Sequence, residues 1–302
     1  MNSRSIGGAR IVVTGGAGLI GRATVAALRD LGCETVSFDR LAANVTGVRD
    51  QPGDLRDAGA IRAAVEGADA VVHLGGIPGP WIEDEVTTYA VNAVGTLAVF
   101  AAAAEAGVER VVYASSINAS GLPIGKLRAP SIVPYDEDEP PAFGDTYSLS
   151  KDANERAAVM AHATWGLELT GLRFPLVRDI AADEGRVFAA HIRRGLREDP
   201  VRQAYEGWSY LDVHDAARAV VCALRCTTPP APGILVAAPT TYLRENTREA
   251  VARILPDVPV GELEGRQVGL DLTRSSALLD FRAERLLEYV SPDLLAPLGG
   301  TP

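Results

Sequence analysis

Three cysteines in 302 residues, Cys33, Cys222 and Cys226, form an odd set without a CxxC pair. That leaves no disulfide framework and no ligand pattern for zinc. Cys222 and Cys226 share a turn spacing in an expected helix and read as one packed face. Basic residues are also short, 29 against 39 acids for a net charge of -10, which argues against nucleic acid or an anionic membrane as partner and for a small or neutral ligand. The first ten residues hold no apolar signal region, and the alanine-rich run Leu97 to Ala104 falls far short of the roughly 20 residues of a spanning helix. The expectation is a cytoplasmic protein with no membrane partner. No internal repeat or low-complexity tract interrupts the chain.

What is present is an ordinary globular composition, 47% hydrophobic and 23% charged, on a chain long enough for a large core. Short apolar runs alternate with alanine-rich amphipathic stretches: Ile11 to Val13, Thr24 to Leu31, Thr35 to Phe38, Ile61 to Val65, Ala70 to Leu74, Val86 to Ala104, Val111 to Tyr113. Alternation of this kind predicts βα units, hence an α/β fold with a doubly wound parallel sheet covered by helices on both faces. Ligands of such sheets lie beyond the carboxyl ends of the strands, so the strand ends carry the functional argument.

The first strand runs into Thr14-Gly15-Gly16-Ala17-Gly18-Leu19-Ile20-Gly21. Gly15 permits a tight turn, Gly18 lets backbone approach a pyrophosphate, and Gly21 lets the following helix pack closely. The helix amino terminus then offers free N–H groups and partial positive charge to phosphate. The second strand ends at Asp39, near the ~20-residue offset at which a carboxylate accepts from ribose hydroxyls. A carboxylate there repels a 2′-phosphate and favours NAD over NADP, while the neighbouring Arg40 is the residue type that pairs with one. Asp54 before the next helix is read either as its N-cap or as a cofactor contact. His73, at the end of the fourth strand before Gly75, reads as structural.

The fifth strand ends in Ser115-Ser116, and Tyr147-Ser148-Leu149-Ser150-Lys151 opens a helix that continues past Met160. Tyr147 and Lys151 share a helix face at i and i+4. A tyrosine that ionises near ~10 must drop by about three units to act as a base at neutral pH, roughly 4 kcal/mol of bias. Desolvation opposes that drop; a nearby ammonium and a cationic nicotinamide favour it. A strand-end serine can hold the same substrate oxygen.

Taken together, the glycine turn, Asp39, Asp54-Leu55, Val91-Asn92 with Gly95-Thr96, Ser115-Ser116, Tyr147 to Lys151 and Leu172-Arg173 resemble the short-chain dehydrogenase/reductase superfamily, in its extended branch, the NAD-dependent epimerase/dehydratase family. The resemblance implies a Rossmann-type domain over 1–175, with 210–238 returning to it, and a small C-terminal substrate-binding lobe from 176–209 and 239–302. It implies Tyr147 as the acid/base, Lys151 as its electrostatic aid and ribose ligand, and Ser116 as third catalytic group, with Ser115 as the alternative. Cofactor contacts follow at Gly15, Gly18, Leu19, Ile20 and Gly21, then Asp39, Arg40, Asp54 and Leu55, then Gly75, Lys151 and Pro175. Asn92 matches the family's helix asparagine, and a homodimer through the helices of Asn92 and Tyr147 is implied. No metal is implied.

The departures bear on substrate. Ile117-Asn118 stand where sugar 4,6-dehydratases carry acids, and Phe174-Pro175-Leu176-Val177-Arg178-Asp179 replaces the family's Asn-Val-Tyr-Gly-Pro type segment. Trp208-Ser209 occupy the place of an arginine that grips nucleotide diphosphate. Arg193, Arg194 and Arg197 read first as a solvated helix face. Trp81 and Trp208 are candidates to line a substrate pocket. The expected reaction is NAD-dependent hydride transfer at a hydroxyl or carbonyl carbon of a small polar, sugar- or sugar-acid-like molecule. A sugar epimerase with retained NAD and a non-catalytic dinucleotide sensor remain the alternatives.

Overall fold

Alternate residues of each central strand point to opposite faces, and both faces are apolar. Ile11 and Val13 join one buried cluster while Val12 joins another, and Ala70 and Val72 part from Val71 in the same way. A strand that is apolar on both sides needs helices above and below it. The computed structural model, which describes residues 4–226, 231–290 and 295–297, supplies them. The expected ranges 210–238 and 239–302 therefore run in part outside the described residues.

In chain order the first half comprises β1 (Arg10–Thr14), α1 (Leu19–Asp30), β2 (Glu34–Asp39), β3 (Arg49–Pro52), α2 (Ala58–Val65), β4 (Ala70–His73), α3 (Glu85–Tyr89), α4 (Gly95–Glu105), β5 (Arg110–Ser116), α5 (Leu122–Gly125), α6 (Thr146–Trp165) and β6 (Glu168–Phe174). There follow β7 (Leu176–Arg178), α7 (Arg186–Glu198), α8 (Pro200–Tyr205), β8 (Tyr210–Asp212), α9 (Val213–Arg225), β9 (Ala231–Leu235), α10 (Thr247–Ile254), α11 (Thr273–Leu279) and α12 (Leu287–Val290). The main sheet is ordered β3-β2-β1-β4-β5-β6-β9 with every pairing parallel. This is the Rossmann-type α/β fold. Helices α1 and α9 pack on one face, and α2, α4 and α6 on the other.

The strand order reverses between β1 and β4, where Thr14 stands in register with His73. A crevice opens at the carboxyl ends on such a reversal, because the connections leave in opposite directions. β7 and β8 leave the sheet to form a separate parallel pair, and with α7 and α8 they build a wall beside that crevice.

Helices α3 and α4 are joined through a π-helical turn at Ala90–Val94 into one helix, Glu85–Glu105, which is long and apolar enough by length and composition to cross a membrane. The run Leu97 to Ala104 understates it, since the uncharged stretch begins at Val86. Its buried residues, Val99 and Phe100 among them, pack against α2, α6 and the sheet.

Candidate functional site

The glycine turn takes its shape from crowding. Gly15 has φ +71°, and a Cβ there would lie 2.5 Å from the amide nitrogen of Gly75. A Cβ on Gly21 would run into the carbonyl oxygen of Gly15. Both positions thus exclude any side chain, and the turn folds tightly enough for α1 to begin directly against it. Gly18 is the N-cap residue and contributes no side-chain cap, and no acid occupies the first turn. Leu19, Ile20 and Gly21 accordingly bring the α1 amino terminus to a cavity of about 920 Å³ with no carboxylate of their own helix to neutralise it.

Asp39 closes this end. Its carboxylate accepts from Ala17 N at 3.1 Å and from Leu41 N at 3.2 Å, tying the tip of β2 to the glycine turn. Arg40 beside it is exposed, and both line the cavity. Asp54 lines it too, but it does not cap α2: Asp57 does, accepting from Gly59 N at 2.9 Å and Ala60 N at 3.0 Å. Three residues nearer the helix, Asp57 can reach the free N–H groups that Asp54 cannot. Asp54 is instead held by Arg56 at 2.6 Å, which lowers its carboxyl to about 2. Leu55, Gly75 and Pro175 complete this part of the lining.

His73 is buried between Thr14 Oγ1 at 2.6 Å and Thr96 Oγ1 at 2.9 Å, and burial lowers its pKa to about 3. It is a neutral strap between β1, β4 and α4. Asn92, in the π turn, accepts from Ile77 N at 2.7 Å and donates to Ile77 O and Ser150 Oγ. It fixes the loop after β4, which lines the cavity at Gly75 to Pro78.

At the end of β5 the two serines part. Ser115 Oγ donates to Glu155 Oε1 at 2.6 Å and is occupied. Ser116 Oγ accepts from Asn118 N and from Asn118 Nδ2, each at 3.2 Å, and lies beside Tyr147. Two donors on one hydroxyl oxygen direct its own proton elsewhere, toward the tyrosine or a bound oxygen. Asn118 itself is buried at the cavity with Oδ1 unpartnered. Sequence reasoning used Asn118 only as an absent acid; a polar residue two places beyond the strand-end serine was the available signal.

Tyr147 enters on α6, whose N-cap Asp145 accepts from Ser148 N at 2.7 Å. Only 7% exposed, its phenol is pushed up by burial, against a counter-pull from the Ser116 hydroxyl and Arg202. Lys151 lies one turn on, its Nζ donating to Ala114 O at 3.0 Å and standing 5.8 Å from the centre of the Tyr147 ring. Burial lowers Lys151 to about 8, while Glu155 opposes the fall. Glu155 continues the same helix face and pairs with Arg173 on β6 at 2.7 Å, both nearly buried. The stripe Tyr147, Lys151, Glu155 is spaced by four, a helix-face signal that the sequence carries as far as Glu155.

The tryptophans do not line the cavity. Trp208 is 0% exposed, packed in the core with Tyr210 and Leu211, because β8 turns this stretch inward. Trp81 is 78% exposed on the loop after β4, and Ile77, Pro78 and Glu83 of that loop line the cavity in its place. Nor are the arginines of α7 one solvated face: Arg193 and Arg197 are exposed away from the cavity, but Arg194 lines it with Arg178, His191 and Arg202.

A family model for the NAD dependent epimerase/dehydratase family matches residues 11–238, from the first residues of β1 through β9 and the whole of the cavity's glycine end. The chain belongs to that family. An L-arabinose 1-dehydrogenase (NAD(P)(+)) from Haloferax volcanii is 30% identical over 239 residues, 74% of this chain and 85% of that protein. A 2-alkyl-3-oxoalkanoate reductase from Stenotrophomonas maltophilia is 34% identical over 51% of this chain. A UDP-glucose 4-epimerase from Neisseria meningitidis serogroup B is 35% identical over 49% of it. The matches to these last two span only 46% of either protein. In structure, a short-chain dehydrogenase/reductase superfamily protein from Agrobacterium tumefaciens with bound NAD superposes at a TM-score of 0.72 and 24% identity, covering 95% of this chain and 96% of that one. MoeE5, solved with UDP-glucuronic acid and NAD, gives 0.66 at 25% identity over 93% and 96%. Both of these neighbours hold NAD.

Proposed function

We propose that the protein is an NAD-linked oxidoreductase that moves a hydride reversibly at a hydroxyl or carbonyl carbon of a small polar, sugar- or sugar-acid-like substrate. The observation that carries this reading is the placement of Ser116, Tyr147 and Lys151 on one cavity with the glycine turn and Asp39. The residues present fit the dinucleotide. A side-chain-free turn and an uncapped helix amino terminus would hold the pyrophosphate, Asp39 and Arg40 would serve the adenosine ribose, Leu55 and Gly75 would line the cofactor's path, and Lys151 would bind the second ribose. When bound, NAD supplies the hydride acceptor.

The chain's own groups handle the proton. Ser116, its lone pairs taken by Asn118, donates to the substrate oxygen and fixes it near Tyr147. Tyr147 Oη takes the hydroxyl proton during oxidation and returns it during reduction. Burial disfavours phenolate, so Lys151 must remain an ammonium to offset it, and Glu155 serves that end by holding the lysine's pKa up. In the same reading the lobe, 176–209 and 239–302, meets substrate, and 210–238 returns to the dinucleotide domain through α9 and β9 once β8 has paired with β7 of the lobe. Asp39 favours NAD over NADP.

A cytoplasmic enzyme without nucleic-acid or membrane partners fits the acidic balance. A homodimer fits the exposed apolar residues Val94 and Leu97 on the helix of Asn92, and Leu149, Val159 and Met160 on α6. Light scattering checks the dimer, and a monomer removes that part alone. The reaction is tested by incubating the protein with NAD and a panel of aldoses, uronic acids and nucleotide sugars. Stoichiometric NADH is the expected outcome. Inverted sugar without net NADH assigns an epimerase instead, and NAD binding without chemistry on any of the panel assigns a sensor.

A further inference from the structure

On the lobe wall of the cavity the carboxylates are paired in a way that leaves one guanidinium without a counter-charge. Three carboxylates stand there, and each has a cation: Asp199 pairs with Lys126 at 2.6 Å, Glu206 with Arg202 at 2.8 Å, and Glu198 with Arg194 at 4.0 Å. Arg178 is left over. It stands at the end of β7, half-buried, and among the described residues its side chain makes one hydrogen bond, from Nη1 to the carbonyl of its neighbour Val177 at 2.8 Å. The residue in register with it on β8, Asp212, gives its carboxylate to Ile180 N, His214 N and Arg285 instead. Among the described residues no carboxylate pairs with Arg178.

A guanidinium withdrawn from water without a counter-charge costs free energy unless a ligand supplies one. Burial alone lowers the pKa of Arg178, with nothing opposing it. His191 lines the same wall, and it is pushed down by burial first and then by the charges of Arg178, Arg194 and Arg202. A neutral imidazole there adds one N–H donor without another charge. The weak Arg194–Glu198 pair, both side chains at least 60% exposed, leaves Arg194 free to turn inward.

We propose that Arg178, with Arg194 and His191 beside it, binds an anionic group of the substrate, a carboxylate or a phosphoryl group, and so makes the enzyme selective for an acidic small molecule over its neutral counterpart. The planar fork of an arginine suits either anion through two parallel hydrogen bonds. This rests on the reading of the cavity as an NAD-linked site. It differs from nucleotide recognition through the stretch before α9, where Trp208 and Ser209 are buried.

The direct test is calorimetric titration of acetate and of inorganic phosphate into the protein saturated with NADH, so that the pyrophosphate site is filled. Binding of at least one anion is expected, tenfold or more weaker in Arg178→Gln, partly restored in Arg178→Lys, and unchanged in Arg193→Ala on the outer face of α7. The stronger anion tells carboxylate from phosphoryl, and turnover of glucose, glucuronate and glucose 6-phosphate should follow the same order. Binding of neither anion, or equal binding by Arg178→Gln, overturns the proposal. Failure of wild-type protein to bind NADH overturns the cofactor reading instead, and the same titrations without NADH then still decide Arg178.

Discussion

The two walls of the cavity are built by different means. On the side of β1, β2 and α1 the working surface is backbone: a turn that admits no Cβ at Gly15 or Gly21, an uncapped helix terminus, and one carboxylate, Asp39, locked by two amides. On the side of β7, α7 and α8 it is long side chains: Arg178, His191, Arg194, Arg202 and Glu206. Backbone recognition fixes a ligand common to a whole family and leaves its mark as glycines at set spacing. Recognition by charged side chains can change at any residue while the fold stays, so it carries the choice of substrate and no motif.

The comparison can be broken at several depths. The largest effect expected away from the reacting atoms is at the joint between the walls, where Glu155→Ala leaves Arg173 buried without its partner. That change should cost about 3–5 kcal/mol of stability in denaturant unfolding. Glu155→Gln keeps the shape, and NMR titration should find Lys151 ionising at lower pH than in the wild-type protein, since the charge that opposed the fall is gone. Trp208→Ala should cost a similar 3–5 kcal/mol as a core cavity, with substrate preference intact in whatever remains folded; Trp208→Phe should be mild, because Nε1 has no partner to lose. Asp39→Ala should weaken NAD about tenfold, near 1.4 kcal/mol, and NADP less. Asp57→Ala should cost about 1 kcal/mol as a lost cap without touching cofactor affinity. Trp81→Ala, at an exposed loop residue, should stay within about 0.5 kcal/mol and leave turnover unchanged.

What was legible in the sequence follows the same division. The sheet, the glycine turn and the Tyr147–Lys151 face could be read because β-branched runs, obligatory glycines and i,i+4 spacing are direct consequences of backbone geometry. Of the two readings open for Asp54, the cap falls away because Asp57 takes it, and since the two aspartates are chemically alike only the observed helix start separates them. Trp208 and Trp81, both expected at the pocket, lie one in the core and one at the surface, because an aromatic residue in a loop carries no period to say which way it faces. Arg194 was grouped with Arg193 and Arg197 for want of a partner surface: one turn of α7 holds all three, and only the placement of β7 and α8 shows which one meets the cavity. The run Val86 to Ala104 read as one helix, but nothing in it announced the π turn that carries Asn92 to the loop after β4.

The central claim is that Tyr147 moves a proton beside a bound dinucleotide. Calorimetric NAD affinity and turnover, measured together on wild-type protein and Tyr147→Phe, test it most directly. NAD binding within about twofold of wild type and turnover lowered by about 10²–10⁴-fold are expected. Turnover near wild type in Tyr147→Phe, with NAD still bound, would contradict it.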